Sequence, residues 1–373
     1  MLTAAALLAL AAWAGLLLAP GQPWRNRHVL AARGGEQHDL GDITVLIPAR
    51  DEAEVLPRTL AALRRQGTNL HVVLVDDQSG DGTAEAARAA MPVGLEVLRG
   101  RPLPAGWSGK VWAQHQGEAR AQREFIMLLD ADIELAPGML AALRARSRDE
   151  DLALVSIMAR LRTDSPWERL LVPPFIYFFK LVYPFAASNR PQSSVAAAAG
   201  GCVLLRRAAL RAAGGFAAIR GAIIDDCALA RRIKAGGGRT WLGQSLDVVS
   251  RRGYDSLRGI RDMVARTAFT QLGYSAVRLA GCTLAMLLAF VVPVLALCAG
   301  GPAALAGGAA LALMMLSVAP TLLLLELPLG WAATLPLAAV LYLAMTWASA
   351  IRYWRGERSR WRGRRYPREG KAT

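Results

Sequence analysis

Charge is missing from two long stretches of this chain. Residues 1–19 carry no charged side chain, and residues 281–350 carry one, Glu326. Apolar runs of that length are what helices need to cross the roughly 30 Å hydrocarbon layer of a bilayer. Cysteine is scarce as well. Cys202, Cys227, Cys282 and Cys298 show no Cys-x-x-Cys spacing, so no disulfide framework is implied, and we read them as small buried hydrophobes in a reducing compartment. The chain also lacks internal repeats, low-complexity linkers, zinc fingers and aromatic RNA-binding motifs. That absence matters because the formal net charge is +15. In a soluble protein such basicity would suggest nucleic acid. Here residues 352–371 hold nine Arg or Lys against Glu357 and Glu369, nine minus two, or +7, beside an apolar segment. A juxtamembrane basic tail near anionic lipid explains the charge without nucleic acid.

With 373 residues, 54% of them hydrophobic, the chain has room for one sizeable α/β domain besides its apolar segments. From Ile43 the pattern is strand, turn, helix, repeated. Residues 43–48, 71–76 and 95–98 read as strands, followed by helices over 55–66, over 83–90 and from near Lys110. Apolar strands alternating with helices of about ten residues give right-handed βαβ units on a mostly parallel sheet. The run Phe125-Ile-Met-Leu-Leu-Asp-Ala-Asp132 is then a buried strand delivering Asp130 and Asp132 to the sheet's carboxyl edge, where open α/β folds bind ligands. Asp51 and Glu52, and Asp76 and Asp77, end the first two strands in the same way. Two carboxylates two positions apart suit a hard divalent cation, which can also hold a diphosphate. The plainer reading makes one of them a cap for the helix after Pro137.

Four motifs occur in order: Ile-Pro-Ala-Arg-Asp-Glu52, Val-Asp-Asp77-Gln-Ser-x-Asp-Gly-Thr83, Gly-Trp-Ser-Gly-Lys110-Val-Trp-Ala, and Leu-Asp130-Ala-Asp132. Over roughly residues 42–270 this order resembles the family 2 glycosyltransferases of GT-A fold. The resemblance implies a Rossmann-like nucleotide-binding domain in which Asp77 contacts the nucleobase and Asp76 and Glu52 belong to the same nucleotide-sugar site. It also implies that Asp130 and Asp132 hold ribose, diphosphate and a Mg²⁺ or Mn²⁺ ion. Lys110 opens a helix behind two glycines, a natural diphosphate site, although an ordinary solvated Lys would fit too. The fuller Gly-Trp-x-Gly-Lys-x-Trp-Ala string resembles transferases acting on isoprenoid lipids, most of all the hopanoid-associated glycosyltransferases, with carotenoid-acid glycosyltransferases nearby.

Gly200-Gly201-Cys202, and further on Ile223-Ile-Asp225-Asp226-Cys227, resemble the family's acceptor side. Asp226 stands where the family has its catalytic Asp, and Asp225 replaces the usual Glu, keeping the charge with a shorter reach. A carboxylate beside an acceptor hydroxyl can take its proton as the hydroxyl attacks the anomeric carbon; one base and no covalent nucleophile imply inversion. Helix capping would equally suit either Asp. Residues 165–187, aromatic and broken by proline, read as a segment in the headgroup zone, with a core-covering insertion as the alternative. Residues 256–278 read as an amphipathic interfacial helix. The family's Gln-x-x-Arg-Trp motif is absent there, and Arg261, Arg266 and Gln271 are candidate substitutes. Two short strands are expected near Trp241 and Val248.

The expected organisation is an anchor over 1–22, a transferase domain over 42–255, apolar helices over 281–350 and a basic tail over 351–373. No Lys or Arg precedes the first apolar run, whereas Arg25, Arg27 and Arg33 follow it. The positive-inside rule therefore puts the amino end outside, despite a signal-like Ala12-Trp13-Ala14, and the domain in the cytoplasm, on the inner membrane. Gly300-Gly301-Pro302 and the stretch from Pro320 to Pro328 suggest three spans, which would leave the basic tail outside, against the same rule. Two spans and a re-entrant stretch near 322–328 would bring it back.

The expected function is transfer of a sugar from a nucleotide diphosphate sugar, a UDP-sugar, to a lipid acceptor, without nucleic acid or an obligate protein partner. Ceramide, diacylglycerol and polyprenyl phosphate are alternative acceptors. A nucleotidyltransferase would need a Gly-rich loop where Ala49-Arg-Asp-Glu52 stands, and a non-catalytic scaffold would not need intact carboxylates.

Overall fold

A computed structural model describes residues 1–34, 38–361 and 363–367; of the basic tail, Arg362, Arg368, Glu369 and Lys371 lie outside the described residues. The chain forms α1 (Leu2–Leu18), β1 (Ile43–Ala49), α2 (Leu56–Arg64), β2 (His71–Asp76), α3 (Thr83–Ala90), β3 (Leu95–Arg99) and α4 (Gly109–Glu118). Next come β4 (Phe125–Leu129), β5 (Ile133–Leu135), α5 (Met139–Asp149), β6 (Leu154–Arg160), α6 (Pro166–Val182) and α7 (Phe185–Ser188). They are followed by β7 (Cys202–Arg206), α8 (Arg207–Ala212), α9 (Asp225–Ala235), β8 (Thr240–Ser250), α10 (Leu257–Ala265) and α11 (Ala268–Gln271). Last are α12 (Ala276–Met286), α13 (Val292–Ala299), α14 (Gly301–Leu324), α15 (Leu335–Trp354) and the hairpin β9 (Glu357–Trp361) and β10 (Arg364–Pro367). These make two compact units.

The unit of His28–Arg162 and Phe185–Gly253 holds an eight-stranded sheet in the order β3-β2-β1-β4-β7-β6-β8-β5. The first four strands are parallel; β7 enters antiparallel, so the sheet is mixed but mostly parallel, as the βαβ rhythm predicts. Alternation along β1 and β2 sorts side chains to two faces. Val45, Ile47, Val72 and Leu74 pack with Leu60 of α2 and Leu143 of α5, while Leu46, Val73 and Val75 pack with Val111 of α4 and Leu229 of α9. Each such burial contributes about 1.5–3 kcal/mol, so both faces need a helical cover and receive one. α4 can lie close to β1 because Gly117 faces Leu46, whose side chain a Cβ would overlap. Where two short strands were expected there is one, β8. Its first half pairs with β6, its last residues pair with β5, and a bulge between Ala159 and Arg160 of β6 lets one strand serve both.

The unit of Met1–Arg27, Thr163–Pro184 and Tyr254–Thr373 holds the apolar helices. Among the described residues three stretches are long and apolar enough to cross a membrane, Ala276–Ala299, Gly301–Leu324 and Leu329–Trp354, and Leu2–Leu18 is a shorter apolar helix. Residues 165–187 are broken as expected at Pro184, between α6 and α7, but not at Pro173 and Pro174. α6 runs on through Pro173 and Pro174, started by a capping box between Ser165 and Glu168. Pro293 has no N–H for the carbonyl four residues back, and the indole N–H of Trp13 donates to that Ala289 oxygen at 2.9 Å. A π-helical turn over Leu287–Val291 accompanies this substitution. Lys180, only 1% exposed, donates to Asn26 Oδ1 at 2.7 Å, Thr321 Oγ1 at 3.0 Å and the Trp24 carbonyl at 3.2 Å. Cys202 and Cys227 are buried free thiols, but Cys282 is half-buried and Cys298 exposed, because an apolar helix surface that faces lipid need not face protein.

Candidate active site

The carboxyl edge of the parallel strands carries the predicted acids, and its turns are laced together. Asp51 takes a left-handed φ of 51°, its N–H donates to Ser79 Oγ at 3.0 Å, and its Oδ1 accepts from Gly80 N at 2.9 Å. Asp76 Oδ1 accepts from Ser79 N at 3.1 Å, which makes Asp76 the brace of the turn that presents Asp77. Asp77 is fully buried, and Gly100 lies against it, where a Cβ would come within 3.1 Å of the Asp77 Cα.

Lys110 sits in the first turn of α4 and joins three elements. Its Nζ is 2.6 Å from Asp130 Oδ1 and 3.9 Å from Asp225 Oδ2, and it donates to the Gly200 carbonyl at 3.3 Å. Burial alone would lower the pKa of this ammonium, but the Asp130 and Asp225 carboxylates outweigh it and hold the group well above the ordinary lysine range. The solvated-lysine reading is therefore excluded. Asp130 keeps 35% of its side-chain exposure; burial pushes its carboxyl up, with Lys110 pulling the other way.

Asp226 follows Asp225 in the first turn of α9, and its Oδ1 accepts from Cys227 N at 2.7 Å. Burial first, then the Asp225 charge, raise its pKa to about 6, with Lys110 opposing. Gly200 fits between the two groups: it gives its carbonyl to Lys110, and a Cβ there would sit 3.0 Å from Asp226 Oδ2. Gly201 accepts from Asp130 N at 3.0 Å through its carbonyl. A cleft lined by Gln114, Leu128, Gly200, Asp225 and Asp226 opens at this cluster. No acid caps α5 by its side chain; its N-cap is Gly138, so the plainer reading of Asp130 and Asp132 fails.

A second cluster was not read from the sequence. Arg252 lies just past β8, and its Nη2 is 2.7 Å from Glu52 Oε1 and 3.5 Å from Asp132 Oδ1; Ser250 Oγ donates to Asp132 Oδ2 at 2.6 Å. Glu52 and Asp132 are thus bound across about 200 and 120 residues of chain. A signal existed: Arg251-Arg252-Gly253 at the end of a strand is an isolated basic pair, but its register opposite β5 is a tertiary fact. Arg261, Arg266 and Gln271 belong to the other unit, where Arg261 pairs with Asp262 at 3.2 Å and Gln271 accepts from Tyr183 Oη at 2.7 Å.

Asp130 and Asp132 offer hard carboxylate oxygens at one strand end, the donor set for a Mg²⁺ or Mn²⁺ ion that draws its remaining ligands from phosphate and water. Among the described residues there is no cluster of three or more His, Cys, Asp or Glu fit to hold a metal unaided.

The family model described as Glycosyl transferase family 2 matches residues 44–214. The 4,4'-diaponeurosporenoate glycosyltransferase of Staphylococcus haemolyticus is 31% identical over 162 residues, 42% of this chain and 42% of that protein, so the likeness spans about two fifths of the curated relative. The mannosyltransferase PcManGT from Pyrobaculum calidifontis, solved in complex with GDP-Man and Mn²⁺, superposes with a TM-score of 0.58 at 21% identity, covering 94% of this chain and 99% of that one. At that identity the second likeness concerns the fold. The ordered motifs, the mostly parallel sheet with acids along one edge, and the matched stretch point the same way: residues 44–214, a little under half of the chain, are similar to family 2 of the glycosyl transferases.

Proposed function

We propose that this chain is a membrane-bound inverting glycosyltransferase that moves a sugar from a nucleotide diphosphate sugar, a UDP-sugar, to a hydroxyl of a lipid. The observation that carries the reading is the Lys110 ammonium shared between Asp130 at the end of β4 and Asp225 beside Asp226 at the start of α9. It ties the donor edge of the sheet to the helix bearing the base.

Asp77, in the turn braced by Asp76, binds the nucleobase, and Glu52 with its Arg252 partner closes that side. A divalent ion bound with the diphosphate would be held by Asp130 and Asp132 and would neutralise the leaving group's charge. Lys110 meets the same diphosphate as a point charge at a helix amino end. Asp226, ionised above a pKa of about 6, takes the proton of the acceptor hydroxyl as its oxygen attacks the anomeric carbon. Attack from the face opposite the diphosphate inverts the configuration. The apolar helices bring a lipid acceptor within the membrane surface. An isoprenoid lipid, a hopanoid above all, suits the Gly106-Trp-Ser-Gly-Lys-Val-Trp-Ala113 string and the carotenoid-type relative; ceramide, diacylglycerol and polyprenyl phosphate are the other acceptors to try. We place the protein in the inner membrane with its transferase unit on the cytoplasmic side, where nucleotide sugars are made.

The test is to incubate membranes carrying the full chain with a panel of labelled nucleotide sugars and to extract labelled lipid. Asp226→Asn should keep UDP binding and lose transfer by about 10²–10⁴-fold. Transfer at near the parent rate would refute the assignment of the base, and no labelled lipid from any donor would refute the function.

A further inference from the structure

By composition α15 is a third span, and its first turns, with Leu335 and Ala339, cluster with the other apolar helices, but its later turns are fastened to α10. The pairing of α1, α13 and α14 fixes the faces of the bilayer. Ala6 of α1 meets Ala296, Ala303 and Ala306, Trp13 clusters with Phe290, Ala310 and Met314, and Asn26 donates to the Pro320 carbonyl at 2.6 Å. A Cβ on Gly307 would lie 2.6 Å from the Pro293 carbonyl, so α13 and α14 run as a close antiparallel pair about Gly300. Each arm has 24 residues, about 36 Å of helix, enough to cross. The amino end of α12 and the carboxyl end of α14 therefore share one face of the bilayer. So do Arg25 and Arg27, which follow α1.

α15 is long enough but is held differently. Ala338, Tyr342 and Met345 pack on Leu171 of α6 and on Ile260 and Val264 of α10. Tyr342 Oη donates to the Leu171 carbonyl at 2.7 Å, only one turn from Glu168, whose Oε1 accepts from Tyr254 N at 2.7 Å at the approach to α10. Further along, Trp347 Nε1 donates to Thr283 Oγ1 of α12 at 3.0 Å, Ser349 Oγ donates to the Ala265 carbonyl at 2.7 Å, and Arg352 pairs with Asp262 at 2.5 Å. From Ala338 to Arg352 the helix is thus fastened to α10 and its surroundings. α10 carries Arg258, Arg261 and Asp262 in one turn and a half, and a hydrocarbon layer would not admit it. The hairpin after α15 stays there too: Ser359 Oγ donates to the Arg266 carbonyl and Arg358 Nε to Tyr274 Oη, both at 3.1 Å.

We propose that α15 does not cross the bilayer but dips and returns to the face from which α14 delivers it. There the hairpin forms, with α10, a surface for the anionic phospholipid headgroups of that leaflet. Arg258, Arg266, Arg355, Arg360 and Arg365 are exposed on it, and Glu357, 2.9 Å from Arg360 and 3.9 Å from Arg365, sets a single negative charge against them. This returns the +7 tail to the side of Arg25 and Arg27, the side the positive-inside rule requires, and removes the conflict that three spans created. The inference is independent of which sugar or lipid the enzyme uses.

The test uses the full chain with Cys282 and Cys298 changed to Ala and single cysteines introduced as Asp255→Cys, Ala299→Cys or Arg365→Cys. A membrane-impermeant maleimide is applied to vesicles of both orientations. Position 365 should label with 255 and oppositely to 299; labelling of 365 with 299 overturns the proposal. A fluorescent protein fused after Thr373, which fluoresces only when it folds on the cytoplasmic side, reads the same topology without substitutions, and a dark fusion of an inserted protein counts against it. For the headgroups, the purified protein is exchanged between phosphatidylglycerol and phosphatidylcholine, and retained lipid is measured. The parent should prefer phosphatidylglycerol, and the triple variant Arg355→Gln, Arg360→Gln, Arg365→Gln should lose about 100-fold of that preference, roughly fivefold per charge. Equal retention of both lipids by the parent overturns the surface.

Discussion

Lys110 in the sheet-bearing unit and Lys180 in the helical unit are both withdrawn from solvent, and the two are treated in opposite ways. Lys110, in the sheet-bearing unit, is 2.6 Å from one carboxylate and 3.9 Å from a second, and its pKa is raised. Lys180, in the helical unit, donates to neutral oxygens, Asn26 Oδ1, Thr321 Oγ1 and the Trp24 carbonyl, and burial pushes its pKa down to about 7. The same side chain is a fixed cation in one unit and an amine that titrates near neutral pH in the other. A carboxylate cluster keeps a charge where we propose that a diphosphate binds. A ring of neutral oxygens accepts hydrogen bonds from Lys180 without offsetting the desolvation of its charge.

The comparison breaks first at Lys110. Lys110→Met leaves Asp130, Asp225 and Asp226 facing one another without a cation. Breaking a fully buried pair costs about 3–5 kcal/mol, and the 35% exposure of Asp130 argues for the lower part of that range. Calorimetric titration with UDP and Mn²⁺ should show affinity lower by about 100-fold. Binding within a factor of three of the parent would make Lys110 an ordinary surface charge.

The next effect is on pH. Asp226 must be ionised to take a proton, so transfer should fall about tenfold per unit as pH drops below about 6. Because Lys110 holds that pKa down against burial and Asp225, Lys110→Met should move the acid limb to higher pH. A pH profile of single-turnover transfer reads this, and an unshifted limb would separate the two groups. Smaller again is Arg252→Gln, which frees Glu52 and Asp132 from their shared partner. We expect kcat/KM to fall about tenfold, or roughly 1.4 kcal/mol, with most of it restored in Arg252→Lys. If Lys and Gln variants behave alike, the charge of Arg252 plays no part.

How much of this the sequence disclosed follows from the range of the forces involved. The strands at 43–49, 71–76 and 125–129 and the acids after them were legible, because period-2 apolar runs and strand-end carboxylates are local signals. Lys110 was legible through its two glycines. Arg252 was not, because its meeting with Glu52 depends on β8 crossing from β6 to β5 at a bulge, which no local pattern records. α6 was misjudged for a related reason: Pro173 and Pro174 predict a break, but the surroundings of a packed helix can tolerate their missing N–H groups. The apolar run of α15 was legible, whereas the hydrogen bonds from Tyr342, Ser349 and Arg352 on which the proposed course of α15 rests were not, since hydropathy registers composition alone.

The smallest effect is expected at Lys180, and it carries a sign that Lys110 cannot imitate. The folded pKa of about 7 lies below the unfolded 10.5, so between those values the unfolded chain binds the extra proton. Stability of the helical unit therefore rises as pH rises from about 7 toward 10.5 and is lowest where the amine must be charged in both states. Lys180→Met removes that cost, but it also leaves Asn26 Oδ1, Thr321 Oγ1 and the Trp24 carbonyl without their donor, at about 1–3 kcal/mol for each group that water cannot reach. The two terms oppose, and near pH 7 the variant should unfold in detergent within about 1 kcal/mol of the parent, as followed by tryptophan fluorescence. The informative reading is the trend: the parent gains stability between pH 7 and pH 10 and Lys180→Met stays flat. A variant that kept the parent's slope would show that the titrating group lies elsewhere, and the contrast between the two lysines would reduce to their partners alone.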